Sequence, residues 1–211
     1  MQKILNNFWK KIKDTFVKKF KKETFTLKNL AQDGHTYWKF SQTVPGRSAE
    51  EYYAEYKEGE KIVATDKEIG LSFVSDSIIA KYYMYGDQLT KICMDINNSS
   101  FAEIQDYRVY KSRHIGGVYE ARILLVEENH SLKEKETIRL LVSMIPDDKN
   151  LLWTGWFNEK ITIYPSFEEH LKKLGFKESA ELIGQLHILA KNNIGYSKNE
   201  ALEFIKTYKD F

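Results

Sequence analysis

The most regular pattern of apolar and polar positions lies at the start of the chain. Ile4, Leu5, Phe8, Trp9, Ile12, Phe16 and Phe20 recur at spacings of one, three and four. At roughly 100° per residue they share one face of a helix over residues 3–22. Lys3, Lys10, Lys11, Lys13, Lys18, Lys21 and Lys22 fall on the other.

The period then shortens to two. Phe25–Leu30 and His35–Thr43 read as strands joined by a hairpin at Asp33-Gly34, a dipeptide suited to a tight turn. Ser48 followed by Glu51 is a capping box and predicts a short helix to about Lys57. Alternation predicts further strands at 61–65, 71–74, 77–85, 89–96, 103–112, 117–128, 136–145, 151–157 and 160–164. Their short connections, such as Gly86-Asp87 and Gly116-Gly117, predict antiparallel pairing, because a parallel crossover needs about a dozen residues.

Helical spacing returns at the C-terminus. Ser166 with Glu169 and Ser197 with Glu200 are further capping boxes. They open predicted helices near 167–174 and 198–209, flanking one at 178–192, with Gly175 and Gly195 as stop signals. The predicted fold is α+β within a single domain, 1–211. It is an antiparallel β-meander of about six to eight strands with an N-terminal amphipathic helix and a C-terminal group of three helices.

Charge sharpens this division. The net charge is +2, but residues 1–22 carry eight lysines against Asp14 alone, so the remainder is net acidic, near −5. A basic helix on an acidic body has three readings: docked with its apolar face on the sheet, laid on an anionic membrane surface, or seated in a partner's groove. Phe8, Trp9, Ile12, Phe16 and Phe20 are the contact residues in each. With 27 Lys and only 5 Arg, the chain is poor in the guanidinium forks of nucleic-acid readers, so no nucleic-acid partner is expected. The lysine excess points to an AT-rich bacterial or phage genome.

Candidate chemistry is sparse. There is no Gly-x-Ser-x-Gly elbow, no phosphate-binding Gly-rich loop and no His-Glu-x-x-His. The five histidines form no helical pair, His35 and His130 fall beside predicted turns, and no cofactor or metal is expected. Cys93, the single cysteine, precludes an internal disulfide. Lys91 two residues away could activate it, yet a lone cysteine on a strand is ordinarily packing material.

The aromatic residues stand out instead. Tyr83, Tyr85, Tyr107, Tyr110, Trp153 and Trp156 fall on predicted strands, where β propensity explains them and protein interfaces would use them. The expected function is therefore protein binding without catalysis, in its most concrete form a bacterial toxin-neutralising immunity protein. The alternative is a peripheral membrane or lipid-binding protein using residues 1–22, and the third is an enzyme with a dispersed site. No apolar run resembles a signal peptide or membrane span, so the expected location is the cytoplasm, with membrane-peripheral attachment as its variant.

Overall fold

A computed structural model of the chain describes residues 24–43, 56–64, 70–111, 117–146, 166–193 and 196–210. The expected helix at 3–22, the capping box at Ser48 and the strands at 151–157 and 160–164 lie outside them. Among the described residues the architecture is α+β, with eight strands in one antiparallel sheet and seven α-helices.

The strands are β1 (Thr24–Thr26), β2 (Tyr37–Ser41), β3 (Lys61–Val63), β4 (Leu71–Ser75), β5 (Gln88–Ile92), β6 (Arg108–Lys111), β7 (Val118–Ala121) and β8 (Ile123–Ser131). Their order across the sheet is β1-β6-β7-β4-β2-β5-β8-β3. Every ladder is antiparallel, as expected, but the expected reason does not hold. Among the described strands only β6 and β7 are neighbours both in the chain and in the sheet, so these strands do not form a meander.

The expected hairpin at Asp33-Gly34 is replaced by a helix, α1 (Leu27–Ala31). Asn29 N donates to Thr26 Oγ1 at 3.3 Å and Thr26 N donates to Asn29 Oδ1 at 2.9 Å. This reciprocal cap ends β1 after three residues. Leu27 and Leu30, three apart, then turn into the core together. β1 pairs with β6 instead of β2.

Three more expected strands change in the same way. Residues 77–85 form α2 (Asp76–Ile79) and a 3-10 helix (Ala80–Tyr85). The first half of 103–112 is turn, following α3 (Ser99–Ala102), which Asn98 caps by accepting from Ser100 N and Phe101 N. Residues 136–145 belong to α4 (Lys135–Ser143) and the turn after it. Ile138, Leu141, Val142 and Ile145 lie on its buried side at spacings of three, one and three. Their β-branched members favour strands, and helical burial overrides that preference. The expected strand 117–128 is also two strands, since the ladder breaks at Arg122: β7 pairs with β4 and β6, whereas β8 pairs with β3 and β5. Tyr56 and Lys57 lie in non-helical backbone, so the helix expected from Ser48 does not reach Lys57.

The C-terminal helices follow their spacing. They are α5 (Phe167–Leu174), α6 (Lys177–Asn192) and α7 (Lys198–Thr207). Ser166 Oγ accepts from Glu169 N, and the box at Ser197 is complete, with Glu200 reaching back to Ser197 N at 2.7 Å. Gly175 takes the left-handed conformation, φ +81°, that ends α5.

Side chains of the sheet pack in two layers. Trp38, Phe40 and Leu89 pack with α4, α5, α6 and α7 in one core. Tyr37, Phe73, Ile92 and Leu125 pack with α1 and the Phe101 turn in another. Successive residues of β2 thus serve opposite faces, as strand geometry requires. No described helix is long and apolar enough to cross a membrane.

Candidate functional site

Strand register assembles a cleft among the described residues. Trp38 on β2 stands opposite Lys91 on β5, and Lys91 opposite Glu128 on β8, while His130 stands opposite Leu89. Residues opposite each other in a ladder share a face, so three strands far apart in the chain present one strip. Lys91 Nζ lies 6.0 Å over the Trp38 ring, and the His130 ring lies 5.9 Å from it.

The strip has a polar rim at one end. Asp76 N donates to Thr36 O at 2.9 Å, which brings the start of α2 beside the entry to β2. Asp76 then holds His35 Nδ1 at 3.1 Å and accepts from Thr36 Oγ1 at 3.1 Å. Trp38 Nε1 donates to Thr36 Oγ1 at 2.9 Å, tying the indole to that rim. The opposite wall is apolar, from Leu140, Met144, Ile145 and Pro146 at the end of α4. Lys198 on α7 donates to Ile145 O at 3.1 Å. The cleft has a volume of about 640 Å³.

The ionisable groups engage one another. Lys91 Nζ donates to Glu127 Oε1 at 2.7 Å and to Glu128 Oε1 at 2.9 Å. Burial works to lower the Lys91 pKa, but those two hydrogen bonds and their charges outweigh it, and the pKa is raised. The bond from Lys91 lowers the Glu128 pKa against its own partial burial. His130 Nε2 lies 3.2 Å from Glu128 Oε2. The hydroxyls are engaged as well: Ser143 Oγ donates to Leu140 O, and Ser77 Oγ lies 2.9 Å from Ser75 Oγ. Among these groups the buried His130 Nε2 is the exception, with no hydrogen-bond partner among the described residues. Among the described residues, no group of three or more His, Cys, Asp or Glu could hold a metal ion.

The aromatic residues expected to bind a partner are not gathered here. Tyr107 is 48% exposed at the turn before β6, and Tyr110 is half-buried on β6. Two strands, β7 and β4, separate β6 from Trp38. Tyr83 and Tyr85 fall in the 3-10 helix, whose backbone is described there without their side chains. Trp153, Trp156 and the residues Phe8, Trp9, Ile12, Phe16 and Phe20 lie outside the described residues. Cys93 is buried among Ile92, Leu124 and Leu125, and burial first of all raises its pKa. His35 is exposed, whereas His130, next to the turn that follows β8 as expected, is half-buried and faces Trp38.

Sequence reasoning missed the cleft because cross-strand register joins residues from β2, β5 and β8. One signal was present: His130 stands two residues beyond Glu128, the last residue of the predicted strand 117–128, a spacing that shares one face where the strand continues. No family model, curated protein or solved structure matches the chain.

Proposed function

We propose that the chain is a binding protein without catalytic activity, most concretely a toxin-neutralising immunity protein, whose partner seats in the cleft over Trp38. One observation carries this reading: two of the cleft's cationic side chains are held by neighbours, His35 by Asp76 and Lys91 by Glu127 and Glu128, while the buried His130 Nε2 makes no hydrogen bond among the described residues. Engaged charges of this kind make a poor acid–base pair and a well-ordered rim. An apolar wall of Leu140, Met144 and Pro146 inside such a rim, with the 4% exposed Trp38 packed beneath it, has the composition of a protein interface. The net acidity of residues beyond 22 would speed encounter with a basic partner.

The test is co-expression with the product of the adjacent gene. The wild-type chain binds that product and restores growth. Ser143→Arg, which places a long side chain in the cleft from an exposed position on α4, weakens binding by about tenfold or more, a loss of roughly 1.4 kcal/mol, without changing the melting temperature. Unchanged binding in that variant places the partner elsewhere. Turnover of a small substrate, lost on Glu128→Gln, overturns the binding reading.

A second reading rests on the segregated lysines and aromatics of residues 3–22. An amphipathic helix there would attach the chain to an anionic membrane, each lysine contributing about 1 kcal/mol near the surface. The full chain then co-sediments with anionic vesicles but not zwitterionic ones, and high salt releases it. Replacing both Phe8 and Phe16 by Ala abolishes co-sedimentation. If those replacements lower the melting temperature and vesicles are not bound, the apolar face is docked on the body.

A further inference from the structure

The face of the sheet opposite the cleft holds a second polar group of residues, built from Tyr56 and alternate positions of β2, β5 and β8. Ser41 Oγ lies 2.7 Å from Thr90 Oγ1, which donates to Asn129 Oδ1 at 2.7 Å. Gln88 Nε2 donates to the same Asn129 oxygen at 2.8 Å. Asn129 Nδ2 in turn donates to Tyr56 O at 2.8 Å, and Asn129 N donates to Glu58 Oε1 at 2.9 Å. This network is internally satisfied. Its structural effect is to pin the Tyr56 segment against β8 and β2.

Two groups beside it are left short. Lys39, opposite Thr90 in the β2–β5 ladder, donates to Ser72 O at 3.0 Å, and its Nζ lies 6.0 Å from the Tyr56 ring centroid. Among the described residues no carboxylate pairs with it. Tyr56 is 7% exposed, and its Oη has no hydrogen-bond partner among the described residues. A desolvated ammonium without a counter-charge and a buried hydroxyl without a partner are both costly. Desolvation lowers the Lys39 pKa to about 8.

A single ligand relieves both deficits if it carries one negative charge and two acceptor oxygens. We propose that Lys39 and Tyr56 bind a small carboxylate, which accepts from the Lys39 ammonium and from the Tyr56 hydroxyl. One ammonium balances a monoanion, so a carboxylate is favoured over a phosphate dianion. The site lies on the opposite face of the sheet from the cleft and is independent of what occupies it.

Formate is the probe, added to the full chain labelled with carbon-13 at lysine Cε, with Lys39→Met assigning the resonance. In sodium chloride the Lys39 signal titrates near the lowered value; formate at equal ionic strength raises that midpoint by about one unit, equivalent to tenfold tighter binding to the charged form. Tyr56→Phe weakens formate binding by about tenfold, yet melts no lower than wild type without formate, because it removes an unsatisfied hydroxyl. Inorganic phosphate binds more weakly than formate. Identical titrations of Lys39 in formate and chloride overturn the site. Wild-type affinity in Tyr56→Phe removes the hydroxyl from it, and tighter binding of phosphate overturns the assignment to a carboxylate.

Discussion

Gly86→Ala is expected to destabilise the protein by about 3 kcal/mol or more, at the upper end for overpacking a closed site. Gly86 has extended backbone, φ −173°, so conformational freedom is not what requires glycine. Space is. A Cβ there would collide with the Ser41 carbonyl oxygen and stand 2.8 Å from Ser41 C and N, all rigid backbone of β2. β2 cannot yield easily, because Asp87 N donates to Ser41 O at 3.0 Å and the Asp87 carboxylate accepts from Thr43 N and Oγ1, both at 2.8 Å. His170 Nε2 also meets Gly86 O at 2.9 Å, tying α5 to the same point. Urea unfolding is the measurement: the midpoint falls while the slope is retained. A wild-type midpoint would mean that β2 and β5 separate at this point more readily than their bonding indicates.

Phe167→Ala is expected to cost about 3–5 kcal/mol, the range for deleting a fully buried phenyl ring. Phe167 opens α5 directly after the Ser166 cap and is wholly buried with Leu171, Leu182, Ile183 and Leu186. Removing it leaves a cavity between α5, α6 and the sheet, walled by helices whose own contacts resist collapse. Phe167→Leu, which refills part of that space, should recover more than half of the loss. Because α5 is bonded to Gly86 through His170, the two replacements share a neighbourhood and their effects are expected to be less than additive. Equal losses for Ala and Leu would assign the effect to the helix start instead of to packing.

The candidate cleft was poorly legible beforehand. His35, Trp38, Asp76, Lys91, Glu128 and His130 become one surface only through the pairing of β2 with β5 and of β5 with β8 and through the contact of α2 with the start of β2. Composition drew attention to Tyr107 and Tyr110, which the fold places on β6, away from Trp38. Tyrosine abundance reports strand propensity as readily as an interface, and cannot separate them without the sheet order.

The sequence by itself determined the local features whose causes lie within a few residues. The Ser166 and Ser197 caps, the left-handed Gly175 and the apolar spacing of α5, α6 and α7 all appear where their pattern placed them. Strands at 61–63, 71–75 and 88–92 likewise follow their alternation. Tertiary structure alone decided the rest. α4 and the 77–85 segment have β-branched and aromatic residues that suit a strand, and burial against the helical core made them helical. Sheet order, the change of partners at Arg122 and the register that joins Trp38 to Lys91 and Glu128 depend on which distant strand covers which apolar face. Propensity and capping act over one helical turn, whereas strand partners are chosen by non-local burial, which the order of residues along the chain does not display.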